Sequence, residues 1–101
     1  MVRNSNTDRN GKPFDKKTIE MVWQKASLIP GYFSLKKDKC GATMRWEDHG
    51  KTSSSFGWEI DHIIPIAKGG SDDLNNLQPL QWENNRHKSD DYPNWYCKIR
   101  N

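Results

Sequence analysis

The sequence predicts an α+β chain, and three observations carry that expectation. Apolar residues Ile19, Val22, Trp23 and Ala26 recur at helical spacing after Asp15, a β-rich run covers Phe56 to Ile64, and the segment Trp82 to Ser89 suits a closing helix. The length, 101 residues, is one domain's worth, so a single domain is expected. Area scaling lets such a chain hide only about 65% of its unfolded surface, so the core must be small and supplemented. Mean hydropathy is low, at -1.06, but 11% of the residues are aromatic and five are Trp. Large rigid apolar bodies of that kind point to a folded, aromatic core rather than to disorder. No stretch approaches the ~18 apolar residues that cross a bilayer, and the first ten residues lack an apolar signal segment, so the expectation is a cytoplasmic chain without a membrane partner.

Taken in order, Asp15 is a candidate N-cap for one amphipathic helix over about 15–27, stopped by Pro30-Gly31. Alternation over Ala42 to Glu47, then a loop at Gly50 and Ser53 to Ser55, then Phe56 to Ile64, predicts a two-stranded antiparallel ribbon closed by Pro65. Gly69-Gly70-Ser71 and Asp72-Asp73 form a turn, Leu74 to Leu80 reads as a short apolar connector, and the aromatic tail Tyr92 to Ile99 is expected to pack back on the core. Two Cys do not make a secreted disulfide framework, so Cys40 and Cys97 are expected as buried free thiols.

Charge is unevenly divided. Residues 1–45 hold ten Lys/Arg against four Asp/Glu, whereas residues 46–101 hold six against nine. The basic half suits docking to a polyanion, and the acidic half suits a metal ion or a solvated face. Taken alone, Lys16-Lys17 and Lys36-Lys37 are no more than a soluble face.

Chemistry concentrates in Gly57-Trp58-Glu59-Ile60-Asp61-His62-Ile63-Ile64-Pro65, Gly69-Gly70, Asn76-Leu77-Gln78-Pro79-Leu80 and Asn85-Arg86-His87-Lys88. Each piece has a bland reading: a charged pair at a strand end, a turn Asn bonding its own backbone, surface residues on a helix. Their joint order is what matters, because a strand delivering an acid and an imidazole, a loop with Asn and a helix presenting Asn and Lys make a compact clamp.

Over residues 38–90 these blocks resemble the HNH endonucleases, whose pattern runs Asp-His-Ile-x-Pro, Gly-Gly, Asn-Leu-Gln-x-Leu, then a metal-ligand position three residues before Lys. The resemblance implies a ββα-metal hairpin-helix core preceded by an additional N-terminal helix. It divides a single nuclease domain, 1–101, into a basic helical region (1–37), the motif core (38–90) and an aromatic tail (91–101). By position His62 matches the general base, fitting because imidazole titrates near neutral pH. Asp61 matches a metal ligand, and Asn76 the central Asn, expected to fix the loop and orient the His62 ring. Asn85 stands where the last His of the family name would lie. Asp61 and Asn85 then offer only hard oxygens, which favour one Mg²⁺ or Mn²⁺ ion over Zn²⁺. Lys88 shares the face of Asn85 and is a candidate phosphate contact. Arg86 and His87 are further substrate-contact candidates, although His87 is rotated by about 200° from Asn85 on a helix. Glu59 lies on the strand face of Asp61 and is a candidate for holding a ligand in place.

Many members carry two Cys-x-x-Cys pairs that hold structural zinc. Here Cys40 stands alone, with Lys37 in place of its partner and Gln81 and Asn84 at the other pair, so no structural zinc is expected. Trp23, Trp46, Trp58 and Trp82 are expected to converge as its substitute, and Trp95 and Tyr96 remain as candidates for stacking on nucleobases. The activity implied is a metal-dependent DNA endonuclease or nickase acting on double-stranded DNA, of bacterial or phage type, monomer or homodimer, leaving 5′-phosphate and 3′-hydroxyl ends. The alternatives are a catalytically silent DNA-binding module of a larger assembly and an RNase of the same fold.

Overall fold

The computed structural model describes residues 3–101 and contains two helices and two small antiparallel sheets, an α+β arrangement. Helix α1 is Lys16–Trp23, and Asp15 caps it by accepting the Thr18 amide at 2.8 Å. Hydrogen bonds from Thr18 to the side chain hold the Asp15 carboxyl below its ordinary range, so this cap is present above the unfolded carboxylate range and is lost as pH falls through the depressed value. The helix stops four residues before the expected end because Ser27–Ile29 is a strand, β1, pairing antiparallel with β2, Tyr32–Lys37. Pro30-Gly31 is therefore a hairpin turn rather than a helix stop, with Gly31 at φ +86°, the left-handed region that glycine enters freely. Strand β3, Thr43–Arg45, joins the other edge of β2.

The expected ribbon between Ala42–Glu47 and Phe56–Ile64 is not formed. Strand β4, Trp58–His62, pairs instead with β5, Leu77–Gln81, the segment read as a connector. Pro79 is what hid β5, since proline inside a run argues against a strand. Its missing N–H has no consequence here. Opposed residues in an antiparallel pair exchange both hydrogen bonds or neither. Ile60, opposite Pro79, donates its amide outward to Asn6 Oδ1 at 2.8 Å, so this is a non-exchanging pair. The two segments are tied instead by Arg45 N to Phe56 O at 3.0 Å, by the Trp58 indole donating to Trp46 O at 3.4 Å and by a parallel bridge between His49 and Trp58. Helix α2, Trp82–Lys88, follows β5 directly, with the Gln81 side chain accepting the Glu83 and Asn84 amides.

Side chains alternate along β4. Trp58 and Ile60 enter the core with Val22, Trp23, Met44 and Leu77, while Glu59 and Asp61 face α2. Trp23, Trp46 and Trp58 do converge, with ring centroids 5.0 to 6.1 Å apart. Trp82 does not join them: its indole donates to Ser54 O at 2.9 Å and packs on the turn before β4.

The staple of the fold is correspondingly not tryptophan alone. Asp38, 4% exposed, accepts the amides of Cys40 and Ala42 on one oxygen, and the Gln81 amide and Asn84 Nδ2 on the other. Asn84 in turn accepts the amides of Lys98 and Ile99 and donates to Ile99 O, which fastens the tail. Gln81 and Asn84, standing where the resemblance puts a zinc-binding pair, thus hold the same place by hydrogen bonds. The free-thiol expectation is also overturned: Cys40 and Cys97 form a disulfide with Cα atoms 5.7 Å apart. Sequence separation says nothing about distance once the tail folds back. The tail returns through this bond and Asn84 rather than through its aromatics, since Tyr96 stays 81% exposed. Trp95 lies under the Lys39 ammonium, 5.5 Å from its ring centroid. Closing a loop of 57 positions contributes up to about 4 kcal/mol in the chain-entropy account. Reduction, or Cys97→Ala, is accordingly expected to lower the melting temperature by about 10 °C or more, read by circular dichroism with and without reductant. An unchanged melting temperature would show that the bond carries no stability.

Candidate active site

A cleft of about 410 Å³ opens where β4 ends, with Asp61, His62, Asn85 and Arg86 in its wall beside the N-terminal loop from Arg3 to Thr7. The loop is held down by Asn6, whose Oδ1 takes the Ile60 amide and lies 3.1 Å from His49 Nε2. His49 packs on Trp58, with ring centroids 4.7 Å apart, and burial pulls its pKa below the ordinary value.

Adjacent strand residues point to opposite faces, yet Asp61 and His62 line one cleft because β4 ends there. The turn that follows is clamped by Asn76. Its Oδ1 accepts the Ile64 amide at 2.8 Å, and its Nδ2 donates to Ile64 O at 3.1 Å and Ser71 O at 2.8 Å. The Asn76 carbonyl also accepts the Ile63 amide. Gly70 is required in this turn because a Cβ there would lie 1.7 Å from Ile64 O. Asn76 is buried and acts on the backbone rather than on the cleft.

His62 Nε2 lies 2.8 Å from Asp72 Oδ1, and the Phe14 ring sits 5.9 Å from the imidazole, centroid to centroid. Burial pushes the Asp72 carboxyl up, but the His62 hydrogen bond and the Arg9 amide outweigh it and leave the pKa lowered. By sequence Asp72 is a turn residue. Nothing in a Ser-Asp-Asp turn distinguishes a carboxylate aimed at a histidine ten positions earlier from one in solvent.

Asp61 is 6% exposed and accepts Gln78 Nε2 at 2.9 Å, with the Lys88 ammonium 3.3 Å from each of its oxygens. Burial raises the Asp61 pKa, opposed by the Gln78 hydrogen bond and by Lys88. Lys88, expected to meet phosphate, is 1% exposed and directs its ammonium to Asp61 and to His62 O at 3.0 Å. Gln78 was likewise missed, although register sets it opposite Asp61. Glu59 is 2% exposed and receives Asn85 Nδ2 at 2.9 Å and Arg86 Nη2 at 2.9 Å. A carboxylate only accepts, so it fixes the Asn85 amide with its nitrogen toward Glu59. The Asn85 side-chain oxygen, Oδ1, takes no hydrogen bond among the described residues, whereas its backbone carbonyl accepts the Ser89 amide at 3.1 Å. Hydrogen bonding to Glu59 also raises the pKa of Arg86, which is half exposed at the cleft. His87 is exposed and is not part of the cleft wall.

Among the described residues no group of three or more His, Cys, Asp or Glu is gathered to hold a metal ion. The available donors are hard oxygens, the Asp61 carboxylate and the Asn85 amide. Two such donors fit an ion that keeps several waters and takes its remaining ligands from substrate phosphate, as Mg²⁺ does. No helix is long and apolar enough to cross a membrane among the described residues.

Comparison with known proteins gives one family match, to HNH endonuclease, over residues 39–91. No curated protein and no solved structure matches the chain. The matched region runs from Lys39 through the disulfide-anchored loop, β4, the Asn76 clamp and α2, and it covers just over half of the sequence. The chain belongs to the HNH endonuclease family, whose members generally hydrolyse nucleic acid.

Proposed function

We propose that this chain is a metal-dependent DNA endonuclease or nickase of the ββα-metal type. The observation that carries the reading is the shared cleft of Asp61, His62 and Asn85 at the end of β4, with His62 held by a carboxylate and Asn85 by Glu59. Asp61 and Asn85 would hold one divalent ion, Mg²⁺ or Mn²⁺, which supplies charge neutralisation at the phosphate and the departing oxygen. His62 takes a proton from water, whose oxygen bonds to phosphorus in line with the leaving group. The bond to the 3′ oxygen breaks, and that oxygen takes a proton from solvent, leaving 5′-phosphate and 3′-hydroxyl ends. Arg86, fixed by Glu59 and half exposed at the cleft, is suited to hold a phosphate. Lys88 keeps Asp61 in place from behind. Binding through backbone contacts falls as salt rises.

One observation favours the rival reading of a silent DNA-binding module: Lys88 already compensates the Asp61 charge at 3.3 Å. A plasmid assay decides. Supercoiled DNA incubated with Mg²⁺ or Mn²⁺ should become nicked or linear, and EDTA should stop it. Plasmid left intact with every metal, yet retarded on a gel, supports the silent module. Cleavage of RNA but not DNA supports the RNase.

A further inference from the structure

The Asp72 carboxylate stands outside the blocks that carry the family resemblance, yet it is the polar side chain on the His62 ring. Three contacts define its place. Its Oδ1 lies 2.8 Å from His62 Nε2, and its two oxygens accept the Arg9 amide at 3.1 and 3.2 Å. Across the ring, Phe14 packs at 5.9 Å with its plane tilted by 42°. The carboxylate is thus pinned from the N-terminal loop and pins the imidazole in turn.

We propose that Asp72 is a positioning residue for His62, fixing the ring and placing its proton on Nε2 so that Nδ1 is the free basic nitrogen. The reasoning is one of donors and acceptors. An ionised carboxylate can only accept, so the nitrogen facing it must carry the hydrogen, and a neutral imidazole carries only one. The other nitrogen is then a lone pair held in one direction by Asp72 on one edge and Phe14 on one face. An imidazole free to rotate or to exchange tautomers presents that lone pair only part of the time. The same logic assigns the N-terminal loop a task, because the Arg9 amide holds Asp72 in register and Asn6 holds the loop to β4. This part of the chain lies outside the matched region, 39–91.

The inference rests on the proposed role of His62 as base, and the experiment separates the two. Ring ¹⁵N NMR in alkaline buffer, with the His62 signals identified by their absence from His62→Ala, reads the tautomer without any activity. The Nε2-protonated form should dominate in the wild type, persist in Asp72→Glu and become mixed in Asp72→Asn. In plasmid cleavage, Asp72→Asn should lose about tenfold or more in kcat with KM little changed, and Asp72→Glu should recover part of that loss. Asp72 is about one-third exposed in its side chain, so both variants should keep the wild-type circular dichroism. A wild-type ring protonated on Nδ1 overturns the proposal, as does a kcat in Asp72→Asn equal to the wild type. Equal behaviour of the Asn and Glu variants overturns it too, since a space-filling role would not distinguish them. An intact plasmid with wild-type protein would refute the nuclease reading alone and leave the tautomer measurement to judge the contact.

Discussion

Plasmid cleavage by His62→Ala is expected to be about 10²- to 10⁴-fold slower than by the wild type, the usual contribution of a positioned acid or base. In the proposed mechanism His62 acts on the attacking water rather than on DNA binding, so the loss should fall on kcat and gel retardation should be unchanged. Circular dichroism should also be unchanged. The ring sits at the very end of β4, against Asp72 and Phe14, and is not part of the buried core cluster. His87→Ala is the internal control: His87 is exposed and off the cleft wall, so its removal should leave the rate within about twofold if only a positioned imidazole matters. A His62→Ala protein that cuts at the wild-type rate would remove the base from the mechanism, and equal losses in both variants would argue for a contribution from charge rather than from proton transfer.

The largest effect on stability is expected from Asp38→Ala. Its two oxygens accept four buried hydrogen bonds, at 2.9, 2.9, 3.0 and 3.0 Å, which join the loop after β2 to the start of α2. Each donor left unsatisfied costs about 1–3 kcal/mol, and the four are not additive because relaxation and water recover part. A net loss of about 4 kcal/mol or more is expected, a large share of the 5–15 kcal/mol that typically holds a domain together. Urea unfolding should show a lower midpoint at an unchanged slope. Asp38→Asn should lie between, because its amide oxygen retains one side of the knot and its NH₂ faces donors on the other. A loss below about 1 kcal/mol for Asp38→Ala would mean that the knot is not what replaces the zinc staple.

Helix α2, strand β4 and the cap at Asp15 were legible because each depends on neighbours in sequence: a carboxylate three positions before an amide, alternation around Trp58 and Ile60, a polar helix after Gln81. Strand β5 was not, since Pro79 hides a strand unless one knows that the opposite residue, Ile60, directs its amide elsewhere. Strand β1 was not legible: the helical spacing runs to about Ser27, its first residue, and only pairing with β2 makes Ser27–Ile29 a strand. The disulfide required knowing that the tail returns to the loop after β2.

The same division runs through the site. Sequence by itself determined the family and drew attention to Asp61, His62, Asn76, Asn85 and Glu59, because the spacing of short motifs survives as residues on one strand, one turn and one helix. Tertiary structure alone decided which side chains face them. Asp72 against His62, Gln78 and Lys88 against Asp61, Asn6 against Ile60 and Asp38 against Asn84 are contacts between segments that meet only after folding. A hydrogen bond depends on a distance within a few tenths of an ångström. Periodicity and spacing constrain position along one element, but they do not determine where a second element will lie against it.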